Sequence, residues 1–235
     1  MADNITLDRL FHFQDEALEH NTVHSVTVQE RLRLVREAIA LSAIVLTSMK
    51  FSNYKQHVLR VLGTDCLSSI VTSVRVGLWG NLPESVALLR SALESTAISA
   101  AVVQTREYAV LCAEFRKKLS KYNFKRASFI LGGFGSRIIR LWGTLSNIGA
   151  HSTAFRMRFS SYQMSGEFVD RLAAAFDHQL SENALFYTPD VCLALLISFE
   201  LAYTQDSVEF PEAARLDSLK QDFNAIIPGT VDPKS

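Results

Sequence analysis

Apolar side chains recur at steps of three and four residues along most of the chain, the spacing that places them on one face of an α-helix. Val28, Leu32 and Val35 begin such a series, which predicts a long helix ending near Met49. Residues 27–30, Thr-Val-Gln-Glu, match a capping box, in which the Thr hydroxyl and the Glu carboxylate satisfy free backbone amides. The pattern therefore predicts a helix that begins at this box.

Glycine and proline mark the ends of further predicted helices. Gly80 and Asn81 suit a helix stop and the next N-cap, while Thr188 and Pro189 suit an N-cap and a first helical residue. The glycine-rich residues 132–135 predict a break, with Ser136 capping the helix that follows. Besides the helix ending near Met49, we predict helices at 7–20, 54–78, 83–104, 106–121, 136–151, 168–180, 188–205 and 211–226.

One segment follows a different period. Phe155, Met157 and Phe159 alternate with Arg156 and Arg158, which predicts an extended stretch near 154–162. Everything else favours an all-α fold, an up-and-down bundle of eight or nine helices. No linker is visible, so residues 1–235 are predicted to form a single domain.

Composition points to a globular protein kept in a reducing compartment. Apolar residues make up 48% of the chain and charged residues 20%, enough for a continuous core. The three cysteines, Cys66, Cys112 and Cys192, are far apart and lie in apolar helical contexts, which favours buried thiols over disulfides. No uncharged apolar run reaches about 18 residues. We therefore expect a cytoplasmic protein that does not associate with membranes.

Charge is balanced overall but unevenly distributed. The chain has 24 basic and 24 acidic residues, yet residues 115–166, here called the basic window, contain no Asp or Glu. Its ten cations are Arg116, Lys117, Lys118, Lys121, Lys125, Arg126, Arg137, Arg140, Arg156 and Arg158. Nine aromatic residues share the window. Cations that neutralise phosphates, beside aromatic rings that stack on bases, are typical of a surface that binds RNA or another polyanion.

A second interpretation explains the basic window without a nucleic acid. The rest of the chain carries all 24 acidic residues, so the window can pair with an acidic surface of the same chain or of a second copy. Both interpretations remain open from the sequence. The second predicts a homodimer or a complex with another protein.

Four polar residues are candidates for catalysis. Arg90 and Glu94 lie one turn apart on a mostly apolar helix, and Asn147 and His151 lie one turn apart on a later helix. A neutral His151 beside arginines is suited to act as a general base toward a ribose 2′-hydroxyl, while an Arg holds the phosphate. The plain alternatives are an ion pair between helices for Arg90 and Glu94, and a helix-terminal His bonded to a carbonyl.

The sequence LLRSALE, residues 88–94, followed later by LS and His151, resembles the HEPN superfamily of helical-bundle proteins. The resemblance covers about residues 75–155 and implies a HEPN-like core near 54–205. Many members are metal-independent ribonucleases of toxin–antitoxin or phage-defence systems, with a site formed across a dimer interface. Their signature is an Arg, a polar residue, three or more further residues and then a His; here Asn147 and His151 match, while Ser146 stands where the Arg should be.

The resemblance implies an RNA-binding protein, with metal-independent ribonuclease activity if another Arg replaces the missing one. Arg171 and His178 form a second, looser match to the signature. No HExxH motif, di-iron carboxylate pair, nucleotide-binding glycine fingerprint or nucleophile elbow is present, so we expect neither a metal nor another cofactor. The alternative function is a non-catalytic helical interaction module, acting as a dimer or as a subunit of a larger assembly.

Overall fold

A computed structural model describes residues 7–49, 54–104, 132–149, 178–205 and 208–226. These residues form α-helices, with no β-strand among them. The helices are α1 (Leu7–Val23), α2 (Val26–Ser48), α3 (Tyr54–Leu78), α4 (Leu82–Gln104), α5 (Gly132–Gly149), α6 (His178–Ala184), α7 (Thr188–Gln205) and α8 (Ala213–Ile226).

The all-α helical bundle is confirmed for these ranges. The predicted helix at 106–121 and the extended stretch near 154–162 lie outside the described residues, so the total of eight or nine helices stays a prediction. The division into one domain is likewise a prediction. The helix predicted at 54–78 matches α3 at both ends.

Helices α3 and α4 form a hairpin with the most extensive packing in the described bundle. Gly80 ends α3 with φ at 78°, a conformation that glycine adopts without strain. Its amide donates to the Gly77 carbonyl, and the Asn81 amide donates to the Val76 carbonyl, the two bonds of a Schellman motif. The Asn81 carbonyl then accepts from Ser85, which confirms the predicted stop and restart.

Two predicted helix starts and one predicted cap need correction. The N-cap of α2 is Ser25, whose hydroxyl accepts from the Val28 amide at 3.1 Å, so Thr27 already lies inside the helix. Helix α5 begins at Gly132 rather than after Ser136. Gly132 itself has a positive φ of 58°, Gly133 and Gly135 lie within the helix, and Phe134 packs against the core. The Thr188 hydroxyl is buried without a hydrogen-bond partner and does not cap α7.

The core is shared by the seven helices from α2 to α8. Buried apolar side chains from all seven form one contiguous cluster, to which α6 contributes Ala184 and α7 the fully buried Phe199. Cys66 and Cys192 lie in this cluster as free thiols, which confirms the prediction for these two. Burial raises the pKa of Cys66 to about 12, so its thiol stays protonated and unreactive.

Within the ranges that the structure describes, three stretches are long and apolar enough to cross a membrane, judged by length and composition alone: Gln56–Leu78, Leu82–Gln104 and Ser181–Gln205. The last two have most of their length buried within the bundle, whereas the first is only one-third buried. The expectation that the protein stays off membranes, like its cytoplasmic location, therefore remains a prediction.

Candidate functional site

The polar cluster between α4 and α5 joins an arginine, a carboxylate and an indole. Arg90 and Glu94 lie one turn apart on α4, and the Arg90 Nε donates to the Glu94 Oε1 at 3.2 Å. The Trp142 Nε1 of α5 donates to the same oxygen at 2.6 Å. The Arg90 guanidinium carbon lies 4.7 Å from the centre of the Trp142 ring. We call these three residues the α4–α5 clamp.

The contacts that join the two helices in the clamp stabilise the charged forms of Arg90 and Glu94. The Glu94 carboxylate accepts two hydrogen bonds, while the arginine gains both an opposite charge and an aromatic face. Its side chains are only partly shielded, 27% exposed for Arg90 and 36% for Glu94. The arginine uses only Nε within the clamp, so its terminal amino groups have no partner there among the residues that the structure describes.

A second arginine of α5 faces a buried acid. Asp190 occupies the first turn of α7, and burial raises the pKa of its carboxyl to about 6, although the nearby charge of Arg137 acts to lower it. A carboxyl this strongly perturbed marks either a functional group or an internal charge pair. Here Arg137 supplies the pairing charge, so this cation of the basic window is engaged within the fold.

The outward side of α5 has a different character. Ser136, Arg140 and Asn147 are all exposed, at helical spacing that aligns them on one side. An added Cβ at Gly133 or Gly143 would meet nothing within 4 Å, so the backbone there is also open. Asp and Glu are absent from the whole helix. We call this side, comprising Gly133, Ser136, Arg140, Gly143 and Asn147, the open face of α5.

The structure brings some of the predicted catalytic residues together. Arg90 and Glu94 meet directly, as predicted, but Asn147 follows Trp142 by five residues, which turns it about 140° away around the helix. Ser146, at the position of the missing Arg, is buried with its hydroxyl unpartnered. An arginine introduced there would have to enter the core.

Most of the predicted anion-binding residues lie outside the described residues. They are Arg116, Lys117, Lys118, Lys121, Lys125, Arg126, Arg156 and Arg158, together with the catalytic candidate His151 and Arg171 of the looser match. Arg137 and Arg140 are described, one beside Asp190 and the other exposed. His178 is the first residue of α6. That His151 lies close to Arg90, Glu94 and Asn147 therefore stays a prediction.

Two participants were missed by sequence reasoning. Trp142 is one of the nine aromatic residues of the basic window, and it completes the clamp with a residue 48 positions away. Asp190 follows the predicted helix start at Thr188 and Pro189, and no spacing in the sequence indicates its proximity to Arg137. Both contacts depend on how α5 packs, and no local spacing signals them.

Comparisons with known proteins identify no relative. No protein-family model matches the chain, and neither a curated protein nor a solved structure matches it.

Proposed function

We propose that this chain is an RNA-binding protein of the HEPN type, and that the basic window is its binding surface. The observation that carries the proposal is the absence of any acid across residues 115–166, combined with the exposure of Arg140 on the open face of α5. A surface without carboxylates does not repel phosphates, and each exposed cation releases counterions when it meets one.

The open face supplies two kinds of contact. Arg140 is suited to a phosphate, because a guanidinium presents paired N–H donors. Asn147, two helical turns further along, has an amide that can both donate and accept, which suits a ribose or a base edge. Arg137 contributes less, since its charge is partly answered by Asp190.

Ribonuclease activity requires His151 as the base and an arginine to hold the phosphate. The buried Ser146 does not supply that arginine, so the role falls to Arg140, to Arg90 or to an arginine of a second subunit. Arg90 is already held by Glu94 and Trp142, which orients its terminal amino groups without consuming them. Arg140 is the freer of the two, since it is exposed.

The activity is tested by incubating the purified protein with total cellular RNA and comparing it with His151→Ala. Cleavage by the wild type that the variant loses supports the ribonuclease. Equal cleavage by both proteins contradicts it, and binding without cleavage leaves an RNA-binding protein that has lost its chemistry. Failure to bind RNA at any salt concentration overturns the whole proposal.

One observation favours the alternative, a helical interaction module that acts as a homodimer or within a larger assembly. Arg90 and Glu94 pair on α4, and Glu94 also accepts from Trp142 of α5, an arrangement that joins the two helices and needs no ligand. Light scattering at low and high salt tests this alternative. A salt-sensitive dimer supports pairing between the basic window and an acidic surface, and a monomer at both salt concentrations contradicts it.

A further inference from the structure

A pair of histidines lies at the C-terminal end of α1. His20 and His24 are four residues apart, and the His24 amide donates to the His20 carbonyl at 3.1 Å, so helical spacing continues past the last residue of α1. Their ring centres are 4.4 Å apart with the planes tilted by 52°. This separation allows one nitrogen of each ring to approach the same ion, since residues at this spacing share one helical face.

The histidines line a pocket that also contains carboxylates. Its volume is about 410 Å³, and its walls are Glu16, Glu19, His20, Val23 and His24. Glu16 precedes His20 by one turn, so it lies on the same face of α1. Its carboxylate is 3.1 Å from the Nε2 of His12 one turn earlier. Among the described residues, no group of three such side chains is already arranged to hold a metal.

We propose that His20 and His24 chelate one divalent transition-metal ion, such as Zn²⁺ or Ni²⁺. Two neutral imidazoles are the ligands that these ions favour, and water completes the coordination sphere. Glu16 joins as a third ligand when its carboxylate turns away from His12. The site is therefore a two-histidine chelate at the end of α1, with the Glu16 carboxylate in the same pocket.

Metal binding at this site has a structural consequence. His24 occupies the turn between α1 and α2, directly before Ser25, whose hydroxyl caps α2 and also donates to the Glu182 carboxylate of α6 at 2.5 Å. An ion held by His20 and His24 fixes the end of α1 to this turn. Because the chelate exists only in the folded chain, the metal raises the free energy of unfolding.

The test uses the full-length protein without a histidine tag, titrated with Ni²⁺ and Zn²⁺ by calorimetry. We expect one ion to bind per chain with release of protons. His20→Gln and His24→Gln should each weaken binding by at least about tenfold, because a chelate reduced to one ligand loses the advantage of the second. His57→Gln is the matched control, an exposed histidine of α3 that does not line the pocket.

Thermal unfolding gives a second readout. One equivalent of Ni²⁺ should raise the Tm of the wild type and of His57→Gln but not that of the other two variants. The proposal is overturned if the wild type does not bind either ion, or if His20→Gln and His24→Gln bind as tightly as the control. The exposed position of His24 makes its Gln variant safe to interpret even if His20→Gln folds poorly.

Discussion

Two arginines of this bundle sit against aromatic rings in different surroundings. Arg90 lies 4.7 Å from the Trp142 ring and pairs with Glu94 on its own helix. Arg31 of α2 lies 5.0 Å from the Phe186 ring and donates through Nη1 to the backbone carbonyl of Glu182. The second arginine is more strongly desolvated, since burial lowers its pKa and its Nε has no hydrogen-bond partner.

The difference shows what each cluster contributes. In the α4–α5 clamp the carboxylate satisfies both the arginine and the indole, and the group remains partly in contact with water. Around Arg31 the hydrogen bond goes to the Glu182 carbonyl of α6, and the Glu182 charge only partly offsets the desolvation, so the arginine holds α2 to α6 while one donor stays unsatisfied. Arg90 in the clamp can therefore still contact a ligand, whereas Arg31 has a structural role only.

The largest expected effect comes from removing the rings. Trp142→Ala should lower the free energy of unfolding by about 3 kcal/mol, because it creates a cavity against the core and leaves Glu94 without the indole donor. Phe186→Ala should cost only about 1 kcal/mol, since that ring is 40% exposed. Urea denaturation of both variants measures the difference. Equal costs would show that the two aromatic contacts are equivalent and would break the comparison.

A third arginine extends the comparison to pH. Asp190, beside Arg137, has a folded pKa of about 6, above its ordinary value of 3.8. The folded state therefore holds this proton more tightly, and the stabilisation present below about pH 4 is lost as pH rises through 6. The wild type should lose on the order of 2 kcal/mol more than Asp190→Asn between about pH 4 and pH 7. Parallel pH profiles for the two proteins would contradict the assignment.

The smallest expected effect is the difference in stability between variants that lack one arginine or the other. Arg31→Met should cost about 1 to 2 kcal/mol, because it leaves the partly buried Glu182 carbonyl without its donor. Arg90→Met should cost at most about 0.5 kcal/mol, since Glu94 keeps its bond to Trp142 and an exposed pair contributes little. Both variants retain the apolar stem, so urea denaturation compares the charges alone. A larger loss for Arg90→Met would reverse the roles assigned here.

The sequence predicted those structural features that depend only on residues close together along the chain. The ends of α3, the stop at Gly80 and the pairing of Arg90 with Glu94 all follow from spacings of one turn or less. The bond from Arg31 to Glu182 spans 151 residues and the bond from Trp142 to Glu94 spans 48, and no local pattern encodes either. The predicted start of α5 was wrong for a related reason, because packing of Phe134 against the core outweighs the low helix propensity of Gly133 and Gly135.

The central proposal, that the basic window binds RNA, is tested most directly by fluorescence anisotropy with a single-stranded RNA oligonucleotide across a range of salt concentrations. Arg140→Gln on the open face of α5 is compared with Arg36→Gln, which removes the same charge from an exposed position on α2. We expect Arg140→Gln to weaken binding and to reduce the slope of log K against log salt by about 0.7, the value for one lost phosphate contact on a single strand. Arg36→Gln should leave both the affinity and the slope unchanged. Identical curves for the two variants would contradict the proposal that RNA binds at this face.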